Sequence, residues 1–442
     1  MTQGKPLPTI IKFSLPVLVG ALLQQFHLVV DMFVVGNAVG ARALSAIGAT
    51  SSTNFLAMSV VTGLTAGITA VIAREFGAKD YSMFAKSVSS AIYIGLAGAA
   101  VLAVAGVFGS GAVMRLLNTP PDIYADSVLY LRVTIGASAG MVLFNTAAAL
   151  LRAVGDSLTP LVFLVATSLL NIMLDFLFVW ALGMGVGGAA LAMVIAQISC
   201  AALMLAYMRS RLELFRLRRE DFEPHAKTIG AILFITLPAM VQALLLAFGD
   251  MMITRTVNGF GSEVVAAYTI GNRVFMFAMT LGMNLAIAHA VFAGQNLGAR
   301  QVERIKDSFR KTAFLTIALS VSAAALVYLF GGDLARLFMS DSDQSIEIVV
   351  SLARHHLRVN SMFFVFLGMI WLYNHTLRGM GEVVVPFISS LAELVSKVGL
   401  SIVLSRAFGH VGMWYVMPLG WVLGVLPCAA WYHAGKWARK AS

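Results

Sequence analysis

The sequence predicts an all-α polytopic membrane protein with twelve transmembrane helices in two parallel-repeat six-helix lobes. Three observations predict this fold: the composition, a series of long apolar runs and an internal repeat. Of the 442 residues, 59% are hydrophobic and 12% are charged. Soluble domains carry about 25% charged residues, so the composition excludes that class. The apolar runs reach the roughly 20 residues of a spanning helix and exceed the about 9–11 residues of a barrel strand.

Charged or Gly/Pro-rich connectors divide the chain into twelve predicted spans. These spans are approximately 10–35, 45–73, 87–110, 124–150, 158–182, 187–208, 229–256, 263–293, 311–332, 346–376, 384–407 and 412–435. Most basic connector residues, such as Lys79 and Arg304, fall on the side of the N-terminus, whereas Arg42 and Arg115 fall on the other side. Because basic connectors stay in the cytoplasm, the sequence predicts a plasma (inner) membrane protein with both termini cytoplasmic.

The two halves of the chain repeat one another. The matched motifs are LP at 15 and 237, FGAK at 76 with LGAR at 297, and LRAVGD at 151 with LRGMGE at 377. Six spans return the chain to the same side, so the repeats are parallel. The predicted domains are therefore an N-terminal lobe at 1–208, a cytoplasmic linker at 209–227 and a C-terminal lobe at 228–442. The linker is expected to form either a short helix on the membrane surface or a solvated connection.

The first and fifth predicted spans carry acidic residues that are expensive to place in a membrane. In the first span, Gln24, His27 and Asp31 are three and four positions apart and share a helical face. In the fifth span, Asn171 and Asp175 are four apart. A carboxylate well inside a spanning helix costs about 2.5–3.5 kcal/mol, so each is a functional-site hypothesis. Structural capping or pairing of the two acids is the alternative.

Several stretches of the chain resemble the MATE (multidrug and toxic compound extrusion) family, within a larger group that includes lipid-precursor flippases. The resembling stretches are LVVDMFVVGNAVG (28–40), LSAIGAT (44–50), GLTAGITAVIAREFGAKD (63–80), LRAVGDSLTP (151–160), LLNIMLDFLFVWALGMGVGGAALA (169–192) and LRGMGE (377–382). The resemblance implies a V-shaped pair of six-helix lobes and export driven by proton or sodium entry. It also implies that Asp31, Asn171 and Asp175 line a cavity in the N-terminal lobe as the coupling site.

The nature of the coupling ion follows from the residue types. Two carboxylates close together in a low dielectric cannot both ionise cheaply, so the pair can bind and release protons. Oxygen ligands also suit a hard cation such as sodium. The resemblance leads us to expect a Thr after GAALA in sodium-binding members, and Met193 stands there. A thioether is a poor sodium ligand, which favours protons. His27 is either part of a proton relay or a structural histidine.

Five polar residues are predicted to contact substrate, and three of them, Gln24, Asn145 and Ser168, are placed on the wall of the predicted cavity. They are Gln24, His27, Asn145, Ser168 and Asp250. In the eleventh span Glu393 and Lys397 are four apart, a spacing that predicts an internal ion pair.

We therefore predict a secondary antiporter that exports amphipathic or cationic organic compounds. We find no P-loop, nucleophile-and-base motif or ligand spacing for a metal, so the sequence predicts neither an enzyme nor a cofactor beyond the coupling ion. The net charge of +10 is explained by the positive-inside bias and not by nucleic-acid binding. Small organic substrates and membrane lipids are the expected partners of a monomer. The alternatives are a flippase for a lipid-linked precursor and an intramembrane lipid-modifying enzyme.

Overall fold

The computed structural model describes residues 1–117, 119–339 and 346–441, which are helical apart from short connections. The first half contains α1 (Pro6–Ala38), α2 (Ala41–Ala78), α3 (Tyr81–Leu116), α4 (Pro121–Gly136), α5 (Ala139–Ala153), α6 (Leu158–Asp175), a π-helix (Phe176–Ala181) and α7 (Gly185–Arg211). The second half contains α8 (Ala226–Asn258), α9 (Ser262–Gly298), α10 (Val302–Arg336), α11 (Ile346–Ser361), α12 (Phe364–Gly379) and α13 (Val384–His433). A 3-10 helix (Lys436–Ala441) follows.

The helices provide the twelve predicted crossings. Within the described residues, nine helices are long and apolar enough to span a membrane, and two bent pairs, α4 with α5 (42°) and α11 with α12 (53°), each make one more. The twelfth comes from α13, which is two helices that meet at Gly409, where φ is 59°. A Cβ atom on Gly412 would lie 2.2 Å from the Leu404 carbonyl oxygen, and one on Gly420 would lie 3.5 Å from Lys397 Cγ. This register is that of an antiparallel hairpin, so the chain crosses twice in α13.

The repeat predicted from sequence extends to unusual backbone conformations. Matched positions in the two halves adopt positive φ angles: Gly40 (102°) and Gly261 (96°), Lys79 (58°) and Arg300 (58°), Gly155 (96°) and Gly381 (78°), and Gly183 (63°) and Gly409 (59°). The second pair is notable because a left-handed conformation is uncommon for residues other than glycine. The two halves therefore share helix order and also the geometry of the turns between helices.

The chain forms two compact units, one of residues 15–240 and the other of residues 1–14 together with 241–442. In the first unit the beginning of α8 packs on α2. A Cβ atom on Gly63 would lie 2.7 Å from the Met240 backbone, and one on Gly67 would lie 2.1 Å from Thr236 Oγ1. Small residues let helix backbones approach in membranes, so these glycines serve packing within the chain. The division at 209–227 made from sequence stays a prediction.

The second unit contains the first residues of the chain. Arg304 on α10 donates a hydrogen bond from Nη2 to the carbonyl oxygen of Gln3, at 2.9 Å. The guanidinium of the same arginine lies 5.3 Å from the ring centroid of Phe292 on α9, a cation–π contact. The N-terminal segment is thus attached to the ends of α9 and α10.

The linker does not form the continuous surface helix that was one of the two expectations. It contains two short 3-10 helices, Glu213–Phe215 and Arg219–Phe222. The buried Phe215 ring packs 5.8 Å from the ring of Phe84 on α3, and Tyr93 donates a hydrogen bond to the Phe222 carbonyl oxygen at 2.5 Å. The ring contact and the hydrogen bond therefore hold both short helices against α3.

Candidate functional site

A pair of acidic side chains meets inside the first unit. Asp31 lies on α1, and Asp175 is the last residue of α6. Their carboxyl groups are within hydrogen-bonding range of each other. Asp175 is completely buried and Asp31 is half-buried. The structure thus brings together two acids that are far apart in sequence.

Two further polar side chains complete this group. Asn171 precedes Asp175 by one helical turn and is 2% exposed. The imidazole of His27, one turn before Asp31, lies within hydrogen-bonding range of the Asn171 side chain and interacts electrostatically with Asp31. The four residues are therefore two i, i+4 pairs on facing helices, with Asp31 near Asp175 and His27 near Asn171.

The hydrogen-bonding capacity of this group is not filled by the described part of the chain. Both side-chain oxygens of Asp175 are buried without a partner there, as are Nδ1 of His27 and Nδ2 of Asn171. Two ionised carboxylates offer each other only acceptors. A proton on one of them, or a bound cation, would satisfy the other. Buried polar atoms without partners are usually isolated exceptions, whereas four of them come together here, and this group therefore has the features of a binding site.

The backbone changes its winding directly after Asp175. The π-helix (Phe176–Ala181) ends with a hydrogen bond from the Leu182 amide to the Leu177 carbonyl oxygen at 2.9 Å. The turn closes against α7 at Gly188, where a Cβ atom would lie 2.8 Å from Met184 Cβ and 3.2 Å from the Phe178 carbonyl carbon. Single π-helical turns often occur at functional sites, and this one sets the position of Asp175 relative to α7.

An apolar cluster begins one turn after each of the two acids. It contains Val35 of α1, Tyr130 of α4, Val179 of the π-helix and Ala190 of α7, all buried. Tyr130 is 5% exposed and lies within electrostatic range of both Asp31 and Asp175. The cluster lowers the local dielectric, which strengthens every electrostatic interaction of the acids.

The other predicted contacts of the first unit are more dispersed. Gln24 is exposed on α1, one turn before His27. Ser168 is half-buried on α6, one turn before Asn171. Asn145 on α5 is half-buried, and its Nδ2 donates to the Met141 carbonyl oxygen at 2.8 Å. Its amide nitrogen is thus engaged by its own helix, which leaves Oδ1 for other interactions.

Asp250 lies in the other unit and belongs to a different group. Its Oδ1 is 3.0 Å from Nζ of Lys397, which is also 3.0 Å from Oε1 of Glu393. The ion pair of Glu393 and Lys397 that their spacing predicts is confirmed. Asp250 enlarges it to three charged side chains.

Two features of the first-unit site could not be found by sequence reasoning. Tyr130 is an ordinary aromatic residue of an apolar span, and only tertiary packing brings it near the acids. The π-helix lies in FLFVWA, a run without Gly or Pro that carries no signal of altered winding. The nearby GMGVGG, at 183–188, was the available sign that the backbone comes close to another helix here.

Two repeated six-span halves that both carry charged side chains within their helices define a multi-pass membrane transport protein. The family model described as MatE matches residues 16–177 and 238–403, one stretch in each half. The chain therefore belongs to the MatE family.

Relatives and solved structures of similar length agree with this assignment. The chain is 26% identical to the probable multidrug resistance protein YoeA of Bacillus subtilis, over 100% of this chain and 97% of that protein. It is 24% identical to the multidrug export protein MepA of Staphylococcus aureus, over 92% and 89%. A structure of a MOP superfamily transporter from Pyrococcus furiosus matches with a TM-score of 0.91 at 21% identity, over 100% of this chain and 98% of the other. The structural likeness shows the fold.

Proposed function

We propose that the protein is a secondary antiporter of the plasma membrane that exports amphipathic and cationic organic compounds in exchange for protons. The observation that carries the proposal is the acidic pair of Asp31 and Asp175. Both carboxylate oxygens of Asp175 are buried without a hydrogen-bond partner among the described residues. The names of YoeA and MepA, both multidrug proteins, support efflux of varied compounds.

The acidic pair suits an ion that binds and leaves during each cycle. Two facing carboxylates in a buried site cannot both be ionised cheaply. One proton removes this repulsion and supplies the missing hydrogen-bond donor. The protonated and deprotonated forms of the pair therefore differ in the packing of α1 against α6. Asn171 and His27 then respond through their contacts with the pair. Binding and release of the proton thus give α1 two arrangements. A transporter that alternates between outward-open and inward-open states needs such a pair of arrangements.

Protons explain the composition of the site better than sodium does. The oxygens that the group offers come from Asp31, Asp175 and the Asn171 side chain. Met193, which follows the GAALA stretch of α7, adds only a soft thioether. A proton needs one carboxylate oxygen and one acceptor, and the pair provides both. Sodium is the alternative coupling ion.

The energy for export comes from the entry of the ion. One elementary charge that moves inward through 100 mV supplies about 2.3 kcal/mol. Proton entry from outside would release substrate outward, and release of the proton to the cytoplasm would reset the site. Gln24, Asn145 and Ser168 are proposed to line the substrate path in the first unit. Both termini are proposed to be cytoplasmic, from the distribution of basic residues, and the protein to act as a monomer.

Reconstitution into liposomes tests the proposal directly. Purified protein is inserted into vesicles, and ethidium uptake is followed under an imposed pH gradient alone and then under a sodium gradient alone. We expect accumulation with the pH gradient, and its collapse when a protonophore is added. Uptake that follows only the sodium gradient would show that the coupling ion is sodium and not the proton. Absence of uptake under both gradients would contradict the antiporter itself.

A further inference from the structure

The second unit contains a connected group of three charged side chains. Lys397 Nζ lies 3.0 Å from a carboxylate oxygen of Asp250 and 3.0 Å from one of Glu393. The exposed fractions of the side chains are 3% for Lys397, 10% for Glu393 and 52% for Asp250. One ammonium thus faces two carboxylates, and the excess negative charge lies toward the exposed end of the group.

The ammonium is held by its surroundings as well as by the acids. Lys397 and Glu393 are one turn apart on α13, so their contact persists whatever happens at Asp250. Glycines flank the lysine stem: a Cβ atom on Gly249 would lie 3.4 Å from Lys397 Cδ, and one on Gly420 would lie 3.5 Å from Lys397 Cγ. Loss of the contact with Asp250 would therefore leave Lys397 paired and in place.

Asp250 is the accessible member of the group. An acid in a membrane helix almost always faces protein or a water-filled cavity, and half of this side chain is uncovered. Thr254, one turn further along the same face of α8, is also exposed, and its hydroxyl donates to the Asp250 carbonyl oxygen at 2.9 Å. A half-exposed carboxylate that is paired with the ammonium of Lys397 can accept an organic cation in place of that ammonium. Asp250 thus has the chemistry of a binding position for such a cation.

We propose that Lys397 is a built-in counter-ion that competes with organic cations for Asp250, an inference that rests on the proposed export of cationic compounds. When a cation approaches, Asp250 exchanges the ammonium of Lys397 for the ammonium or phosphonium of the ligand. Glu393 keeps the lysine neutralised during the exchange, so no buried charge is left alone, which would be costly. In the absence of a ligand, Lys397 keeps Asp250 paired. Lys397 and Glu393 are then residues that set the affinity for cations without touching them.

Variants of the three residues give opposite expectations. Lys397→Met removes the competitor, so the affinity for ethidium should rise by about tenfold, or about 1.4 kcal/mol. Glu393→Gln leaves Lys397 with Asp250 as its only carboxylate, so the affinity should fall. Asp250→Asn should also weaken binding, and it should cancel the gain when combined with Lys397→Met. Dissociation constants are measured by ethidium fluorescence with the purified full chain, and by competition with tetraphenylphosphonium.

Three controls separate this role from a structural one. Lys311→Met removes an exposed lysine from a similar i, i+4 pair with Asp307 on α10, and it should leave ethidium affinity unchanged. An uncharged fluorescent probe, N-phenyl-1-naphthylamine, should bind equally to all variants. Thermal unfolding identifies any variant that is misfolded. If Lys397→Met is lost in this way, Glu393→Gln decides, because it keeps the lysine and must still weaken ethidium binding.

The inference is overturned if Lys397→Met and Glu393→Gln change ethidium affinity in the same direction, as a purely structural ion pair would. It is also overturned if the uncharged probe follows the same order, or if neither the native chain nor any variant binds ethidium. Failure of the proposed antiport would look different. It would leave the order of binding affinities intact while gradient-driven uptake into liposomes is absent.

Discussion

The carboxyl groups of Asp31 and Asp175 approach within hydrogen-bonding range from two different helices, α1 and α6. Asp175 ends its α-helix and opens a π-helical turn. Asp175 is therefore carried by backbone that can change its winding. Asp31 lies on a helix with an internal proline, Pro16, about four turns before the acid, where a helix can bend.

Neutralising either acid should separate transport from the proton gradient. In Asp31→Asn and in Asp175→Asn one member is permanently uncharged, so proton binding no longer changes the packing of α1 and α6. We expect gradient-driven ethidium transport in liposomes to fall by about tenfold or more. Coupling between two binding sites typically changes affinity by about 5–150-fold, so loss of the coupling should have an effect of this size.

The matched control for this prediction is Asp126→Asn. Asp126 pairs at the surface with Arg42 at 3.6 Å, and both side chains are well exposed, so transport should persist because such pairs contribute about 0–1 kcal/mol. Coupled transport at the native rate by Asp31→Asn would show that the acidic pair is not the coupling site.

Much of the fold could be predicted because hydrophobicity and repetition are properties of the chain itself. The seventh span was expected at 229–256 and α8 is Ala226–Asn258. The bends were not predicted. The span drawn as 124–150 breaks between α4 and α5, next to Gly136. A Cβ atom on Gly106 of α3 would lie 2.6 Å from the Gly136 backbone nitrogen. A helix break at a close contact between two backbones depends on tertiary packing, and the hydrophobic periodicity of the sequence carries no information about that packing.

The candidate site divides in the same way. Asp31, Asn171 and Asp175 stand out from sequence because polar groups in spans are costly. Their mutual approach also followed from the family resemblance. Tyr130 did not stand out, because a tyrosine in a span has no such cost. Asp250 was expected to be a substrate contact, and its pairing with Lys397 came only from the structure, since the two lie on different helices.

The π-helical turn after Asp175 should depend on Gly188. A methyl group there would meet Met184 Cβ at 2.8 Å and the Phe178 carbonyl carbon at 3.2 Å. We expect Gly188→Ala to lower stability by roughly 1–3 kcal/mol, the usual cost of overpacking, and to slow transport because Asp175 shifts. Thermal unfolding in detergent and ethidium transport measure the two effects. Gly109→Ala on α3, which has open space at this position, should change neither, and equal effects would contradict the assigned role.

Close packing of α2 against the beginning of α8 should depend on Gly67. A Cβ atom there would lie 2.1 Å from Thr236 Oγ1 and 2.8 Å from the Thr236 backbone nitrogen, and the backbone cannot yield without separating the helices. Gly67→Ala should therefore lower the free energy of unfolding by roughly 1–3 kcal/mol. Gly48 lies on the same helix with no heavy atom within 4 Å, so Gly48→Ala should be close to neutral. A thermal unfolding series that ranks the two variants equally would disprove the contact.

A hydrogen-bond chain in the second unit should depend on the acceptor at Gln242. Arg378 at the end of α12 donates to Oε1 of Gln242 on α8, and Nε2 of Gln242 donates to Ser390 on α13. Gln242 and Ser390 are buried, at 6% and 1% exposure. Gln242→Ala removes the acceptor and leaves a charged donor, Arg378, without it. Loss of a buried partner costs about 1–3 kcal/mol, and more for a charged group, so we expect destabilisation at or above the upper end of this range. Thermal unfolding in detergent measures the loss.

Gln242→Glu separates the loss of that acceptor from the loss of side-chain volume. A glutamate keeps the length of the side chain, offers Arg378 an ionised acceptor, and can accept from the Ser390 hydroxyl. It should unfold at or above the temperature of the native chain. If Gln242→Glu is as unstable as Gln242→Ala, packing and not the hydrogen bond with Arg378 connects α8 to α12 at this point.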